Sequence, residues 1–386
     1  MTIRQESLKK AHLSLFVSAY GHHVAAWRHP SVPSDAGHDV SHLRRVAQVA
    51  EAAKFDAVFF ADVAAFNLPR ESTEAAVYGA RSGQFEPVTL LAALSAVTDR
   101  LGLICTASTT YSEPYQVARQ FASLDHLSTG RAGWNLVTSA NPNEAMNFGR
   151  SEHLEHGKRY DRAEEFIDVV MGLWDSWEDD AFIRDKATGQ QFDPTKLHVL
   201  DHIGPEFRVR GPLNIARPPQ GYPVRVQAGS SSRGQELAAR TADLVFTVQQ
   251  TVEGASAFYR ELKARLPRYG RASTDLLIMP GLCPVVGRTQ AEADAKMSML
   301  QDLVHPKAGM ALLSSLLGGF DLSHCGLDEP LPDVPLSNGS TSRQKLVVET
   351  ARQEGLSLRQ TYVRLAGTRG HLQVVGTPSQ VVDLVE

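Results

Sequence analysis

Apolar residues in this chain gather in short runs, separated by stretches where they recur at helical spacing. The runs 13–18 (LSLFVS), 55–61 (FDAVFFA), 101–106 (LGLICT), 131–138 (RAGWNLVT), 223–228 (PVRVQA), 243–248 (DLVFTV) and 276–286 (LLIMPGLCPVV) are apolar along their length instead of alternating. That pattern predicts strands of a parallel sheet buried on both faces. Helical patterns fill the spaces at 41–53, 87–97, 114–127, 153–177, 233–240 and 252–269, and again from 289. In the first of them Leu43, Val46, Ala47 and Ala50 share one face. Strand–helix alternation repeated seven times points to a (β/α)8 TIM barrel more than to a doubly wound sheet.

Three segments leave the beat and read as insertions, at about 64–85, 180–222 and 301–370, within a single barrel domain spanning 1–386. The 180–222 stretch, rich in Pro, Gly and Asp, predicts a surface excursion. The last insertion carries Gly318-Gly319 and a Pro-rich piece at 329–335, which predict a mobile loop or lid of roughly 65 residues. Residues 374–379 (VVGTPS) predict the start of a helix that runs to the end of the chain. The eighth strand is therefore expected to be missing.

Composition narrows the partners. The chain is 42% hydrophobic and 21% charged with a net charge of −4, which gives no case for nucleic acid or an anionic membrane. Its longest apolar runs are too short to span a bilayer. The N-terminus MTIRQESLKK is polar with no apolar segment behind it, so no secretory signal is expected. Three widely spaced cysteines suggest neither a disulfide framework nor a cysteine metal site, and a cytoplasmic location is the expectation. His153, Glu155 and His156 lack the spacing of a helical zinc pair, and no metal is expected.

Candidate chemistry lies at the C-terminal ends of the strands, where parallel barrels carry their sites. Residues 223–234 (PVRVQAGSSSRG) read as a strand, a Gly/Ser turn at Gly229, Ser230 and Ser231, and a helix start. Backbone N–H groups and hydroxyls converge there, as an anion site requires, although serine is also the ordinary helix cap. The other strand ends offer His22, His23 and His29, then Asp62, then Ser108 and Thr109, then Asn135 and Ser139. His156 and Tyr160 stand four residues apart on one helix face. No nucleophile with a paired base and no Walker or Rossmann glycine motif is present. Such a set of donors and acceptors suits a protein whose chemistry belongs to a cofactor.

Several stretches together resemble one family: WRHP at 27–30, FFADV at 59–63, STTY at 108–111, SLDHLSTGR at 123–131, GWNLVTS at 133–139, NFG at 147–149, HGKRYDRAEE at 156–165 and QAGSS at 227–231. This ordered set resembles the nitrilotriacetate and dibenzothiophene-sulfone monooxygenase branch of the bacterial luciferase-like flavin monooxygenases. The resemblance implies a barrel that binds reduced FMN (FMNH2) delivered by a separate NAD(P)H:flavin reductase. It implies O2 addition to give a flavin peroxide that oxygenates a small organic molecule, in a dimer or tetramer. By motif, Gly229, Ser230 and Ser231 hold the FMN phosphate with Tyr160 and His156. Asp62, Ser108 or Thr109, Asn135 and Ser139 line the ribityl chain and ring, and His22, His23 and His29 are candidates for proton management.

Two departures stand out. Ala140 replaces a histidine found in some members, and members continue beyond the VGTP segment into a final strand. A deazaflavin-dependent oxidoreductase on the same fold and a flavin-binding protein without turnover are the alternatives.

Overall fold

The computed structural model describes residues 11–66, 76–79, 83–337, 341–368 and 370–385. Its centre is one parallel sheet in chain order: β1 (Ser14–Val17), β2 (Ala57–Phe60), β3 (Gly102–Ser108), β4 (Ala132–Val137), β5 (Val224–Gln227), β6 (Leu244–Thr247) and β7 (Leu277–Pro280). The sheet curls on itself. Phe16 of β1 lies 4.7 Å from Phe59 on the neighbouring strand, and also 5.7 Å from Phe246 of β6, four strands further along. These rings form an inner core with Ala57, Ile104 and Val226. Gly133 of β4 belongs to the same inner packing, since a Cβ there would stand 2.8 Å from the Ile104 side chain.

Alternate residues of the same strands face outward onto α1 (Val40–Ala52), α2 (Pro87–Ser95), α3 (Pro114–Ser128) and, after the short α4 (Asn143–Asn147), α5 (His156–Trp174). Trp134 on β4 is fully buried there among Phe121, Phe166 and Trp174, at ring distances of 5.9, 5.8 and 6.4 Å. It serves packing. The polar inward positions on β3 and β4 are Thr106, Ser108 and Asn135, which therefore point toward the mouth of the curl.

The helices fall close to their predicted places, with capping chemistry setting the boundaries. Asp39 and Glu86 accept backbone N–H bonds at the starts of α1 and α2, Pro87 and Pro114 occupy first-turn positions, and Thr129 in a left-handed conformation ends α3. The predicted helix from 153 begins instead at His156, leaving His153 in the preceding loop. The 180–222 excursion carries a two-residue hairpin, His202–Ile203 against Arg208–Val209. After β5 and β6 come α6 (Ser232–Thr241) and α7 (Val252–Lys263).

Two expectations need correction. The run 276–286 is not one strand. Gly281 breaks it, and a Cβ at that position would meet His371 at 2.3 Å. The chain continues as β8 (Leu282–Val286), which leaves the main sheet and pairs in parallel with β9 (Leu372–Gly376). The VVGTPS segment is thus a strand end followed by α12 (Pro378–Val385), not only a helix start. β9 does not join the main sheet, which keeps seven strands among the described residues.

The second correction concerns 301–370, expected as a mobile loop. It is largely helical: α8 (Gln290–Asp302) leads into α9 (Pro306–Leu316), α10 (Thr341–Gln353) and α11 (Leu358–Ala366). Leu313, Leu316, Leu358, Tyr362 and Leu365 form a core of their own with Ala25 from the loop after β1. α9 and α11 pack closely because Gly309 leaves room for the Tyr362 ring. The glycines that suggested a loop end a helix, both Gly318 and Gly319 having positive φ. Of the 64–85 insertion, residues 67–75 and 80–82 lie outside the described residues. Its Tyr78 stacks on His305 at the start of α9, with centroids 3.6 Å apart and planes 6° apart. Among the described residues no helix is long and apolar enough to cross a membrane.

Candidate functional site

The Gly/Ser turn after β5 has the expected form. Ser231 is the N-cap of α6 and accepts the Gly234 N–H at 3.1 Å. Gly229 and Gly234 sit so close that a Cβ on either would meet the other's backbone at 3.0 Å. Tyr160 closes the turn from α5. Its hydroxyl accepts from Ser231 Oγ at 3.3 Å and would stand 2.9 Å from a Cβ at position 234. His156 lies beside Tyr160, with ring centroids 4.9 Å apart, and Arg233 lies over the same ring at 5.7 Å. Burial first, then the nearby Arg159 and Arg233 cations, holds the His156 pKa below the usual histidine value. Predicted Gly229, Ser231, His156 and Tyr160 are thus brought together, with Ser230 between Gly229 and the cap.

A second cluster occupies the ends of β3 and β4. Ser108 Oγ accepts the amide N–H groups of Thr110 at 3.1 Å and Tyr111 at 3.3 Å, and lies 2.8 Å from Ser139 Oγ. With two donors on its lone pairs, Ser108 gives its single proton to Ser139. Ser139 in turn bonds the Glu144 carboxylate. The hydroxyl chain therefore has one direction, from Ser108 through Ser139 to Glu144. Ser139 adopts φ of 47°, a left-handed conformation costing a β-carbon residue about 1–2 kcal/mol. Thr109 is turned away, donating to the Val137 carbonyl at 3.2 Å.

Glu144 is buried on α4 and also accepts the Ala64 N–H at 3.0 Å. Burial raises its pKa, and the neighbouring Asp62 adds to the rise. Asp62 is half-buried, accepts from Gln84 at 3.0 Å and is likewise raised by burial. Asn135 donates to Thr106 Oγ1 at 2.7 Å, while its Oδ1 is buried with no hydrogen-bond partner. An unmet acceptor of this kind costs about 1–3 kcal/mol, and a ligand N–H removes that cost.

Arg159 spans the two clusters. It is almost wholly buried, donates to the Ser139 carbonyl and to His153 Nε2, and sits within the electrostatic reach of Tyr160 and His156. His153 Nδ1 lies 2.6 Å from Tyr111 Oη, and burial with the Arg159 charge lowers the His153 pKa to about 4.

The three candidate histidines separate. His22 bonds the Phe16 carbonyl at 2.8 Å and packs edge-on to that ring, 4.5 Å away at the inner core. His23 is buried, with Nδ1 accepting the Ala25 N–H, and lies against Gly367 of the helical insertion. His29 accepts from Ser31 within its own turn.

The profile of luciferase-like monooxygenases matches residues 20–386. The chain belongs to that family. It is 49% identical over 388 residues to an N-acetyl-S-(2-succino)cysteine monooxygenase of Bacillus subtilis (strain 168), covering 100% of this chain and 86% of the relative. It is 48% identical over 384 residues to nitrilotriacetate monooxygenase component A of Aminobacter aminovorans, covering 98% and 85%. A solved riboflavin lyase with modified FMN and riboflavin superposes with a TM-score of 0.86 at 34% identity, covering 98% of this chain and 84% of that one. Membership makes the chain a monooxygenase and makes a flavin the cofactor to fit against the site.

Four residues that the structure places in these clusters were not singled out as site residues by the sequence: Tyr111, Glu144, His153 and Arg159. Arg159 had a signal, since it stands three residues after His156 on the same helix face. Glu144 had none, because one carboxylate in a short loop helix looks like any solvated one until Ala64 and Ser139 close over it.

Proposed function

We propose that the protein is the oxygenase of a two-component system, using FMNH2 from a separate NAD(P)H:flavin reductase and O2 to oxygenate a small organic substrate. The observation that carries this reading is the join between clusters: one buried guanidinium, Arg159, touches the Ser139 end and neighbours the Tyr160–Ser231 end. A phosphate cradle and a ring-edge site linked in this way suit a flavin mononucleotide.

Gly229, Ser230 and Ser231 with the start of α6 would hold the phosphate, with Tyr160 and His156 flanking it. Asn135 Oδ1 would accept from a ring N–H, and Asp62 and Ser139 would fix the remaining edge, with Ser108 orienting Ser139 and the Thr109 hydroxyl turned away to the Val137 carbonyl. Bound there, reduced flavin supplies the electrons that activate O2. The chain's part is to orient, to exclude water with the inner Phe16, Phe59 and Phe246 rings, and to manage protons at the mouth, where His22 lies closest to the inner core. Cys105, Cys283 and Cys325 form no disulfide with one another, which suits a reducing cytoplasm. The names of the relatives make N-acetyl-S-(2-succino)cysteine and nitrilotriacetate the first substrates to assay.

The test supplies the protein with FMN, a purified reductase, NADH and 18O2 across those substrates. One 18O atom per product molecule is expected. NADH oxidation that yields only hydrogen peroxide with every substrate would sink the oxygenase reading and favour a flavin-binding protein without turnover. A Ser230→Ala/Ser231→Ala variant is expected to weaken FMN about 10- to 100-fold while sparing riboflavin, since hydrogen bonds to a charged phosphate are worth about 1.5–3 kcal/mol each.

A further inference from the structure

We propose that Arg159 locks His153 as the Nδ1–H tautomer, and that Tyr111 thereby presents its hydroxyl proton to the site as a donor to an oxygen of the bound flavin nucleotide. A guanidinium can only donate, so the His153 Nε2 that faces Arg159 Nη1 must be bare. Burial and the Arg159 charge keep the ring neutral, so its one proton sits on Nδ1. Nδ1 faces Tyr111 Oη at 2.6 Å, and the phenol oxygen is therefore the acceptor of that bond. Its own proton has to point elsewhere.

The Ser139 carbonyl also lies beside the His153 ring and would favour a proton on Nε2. That carbonyl also accepts from Arg159 Nη1, so an Nε2–H reaching for its second lone pair would set its hydrogen against those of the Nη1 that faces Nε2. Phe148 stacks on the Tyr111 ring, with centroids 5.2 Å apart and planes 16° apart, so the phenol is held against rotation out of its plane. Tyr111 is also tied at its backbone, because its N–H donates to Ser108 Oγ. The phenol thus extends from the hydroxyl chain that defines one end of the candidate site. Tyr111 adds a donor where Ser108 and Ser139 have none left, their protons being committed toward Glu144.

The donor role rests on the flavin reading above, whereas the tautomer does not, and the experiment separates them. In flavin-free protein labelled with 15N-histidine, the His153 signals, assigned by their loss in His153→Gln, should show a protonated Nδ1 and a bare Nε2 at neutral pH. A protonated Nε2 or an imidazolium overturns the lock. FMN binding followed by flavin fluorescence should weaken about fivefold in Tyr111→Phe, the effect of one neutral hydrogen bond. His153→Glu can only accept, so it recaptures the Tyr111 proton and should lose at least as much affinity. His153→Gln, which accepts from Arg159 and donates to Tyr111, should recover it. FMN affinity unchanged in Tyr111→Phe overturns the donor role. Failure of the unmutated protein to bind FMN would sink the flavin reading and the donor role with it, leaving the tautomer measured on its own.

Discussion

The two ends of the candidate site are built in opposite ways. At the Gly229–Gly234 turn, six consecutive residues and one helix supply the geometry, and it rests on the absence of side chains at two glycines. At the Ser139 end the groups come from the loop after β2, the end of β3, the end of β4, α4, the 153 loop and α5. The first end is stiff because its backbone has nowhere to go. The second is held by a network of hydrogen bonds with a fixed direction, so its failures are graded. A local device breaks all at once, and a distributed one loses a bond at a time.

The largest effect expected from that difference is at Gly234. A methyl there meets Tyr160 Oη at 2.9 Å and the Gly229 Cα at 3.0 Å, and the backbone cannot yield. Gly234→Ala should cut FMN affinity by up to about a hundredfold, the upper part of the 1–3 kcal/mol range for overpacking, while riboflavin loses less. Equal loss for both ligands would show that the turn is not the phosphate end.

Next comes Arg159→Met, which strips donors from the buried Ser139 carbonyl and His153 and should lower stability by about 2 kcal/mol in urea unfolding at unchanged m. Because Arg159 spans both clusters, FMN and riboflavin should weaken together. Glu144→Gln should cost about 1 kcal/mol or less, since the amide still accepts one bond, and it too should not discriminate between the two flavins.

A pH dependence tests the same end of the site. His153 has a folded-state pKa of about 4, below its ordinary 6.5, so the unfolded chain binds the extra proton first. Stability from this group is complete above pH 6.5 and drains away as pH falls toward 4. The slope in that window should flatten in His153→Gln, measured as the difference in urea midpoints.

Much of the barrel was legible in the sequence because its strands are short apolar runs and its helices carry their own caps. The cradle was legible for a related reason: strand, glycine, serine and helix follow one another within twelve residues, 223–234. The 301–370 region misled because Gly318, Gly319 and the 329–335 prolines stop helices as readily as they make loops. The seventh strand misled because periodicity reports burial and not which partner a strand takes, so the switch at Gly281 left no mark in the apolar pattern. The hydroxyl chain and Arg159 stayed hidden for a deeper reason. Ser108 meets Ser139 across 31 residues of chain and Glu144 meets Ala64 across 80, and no local spacing encodes such contacts.

The break at Gly281 reaches into how the molecule assembles. β8 and β9 pair residue 282 with residue 372, ninety positions along, and everything between them is α8 to α11 and their connections. Neighbouring strands of the main sheet from β1 to β4 meet after about thirty to forty-five residues instead. Closing so long a loop costs entropy, so the β8–β9 ladder, like the β4–β5 pair that joins Gly133 to Val224, is expected to form after β1 to β4. The helical unit is thereby a crossover between two strands outside the main sheet, and it touches the barrel through Ala25 and His371.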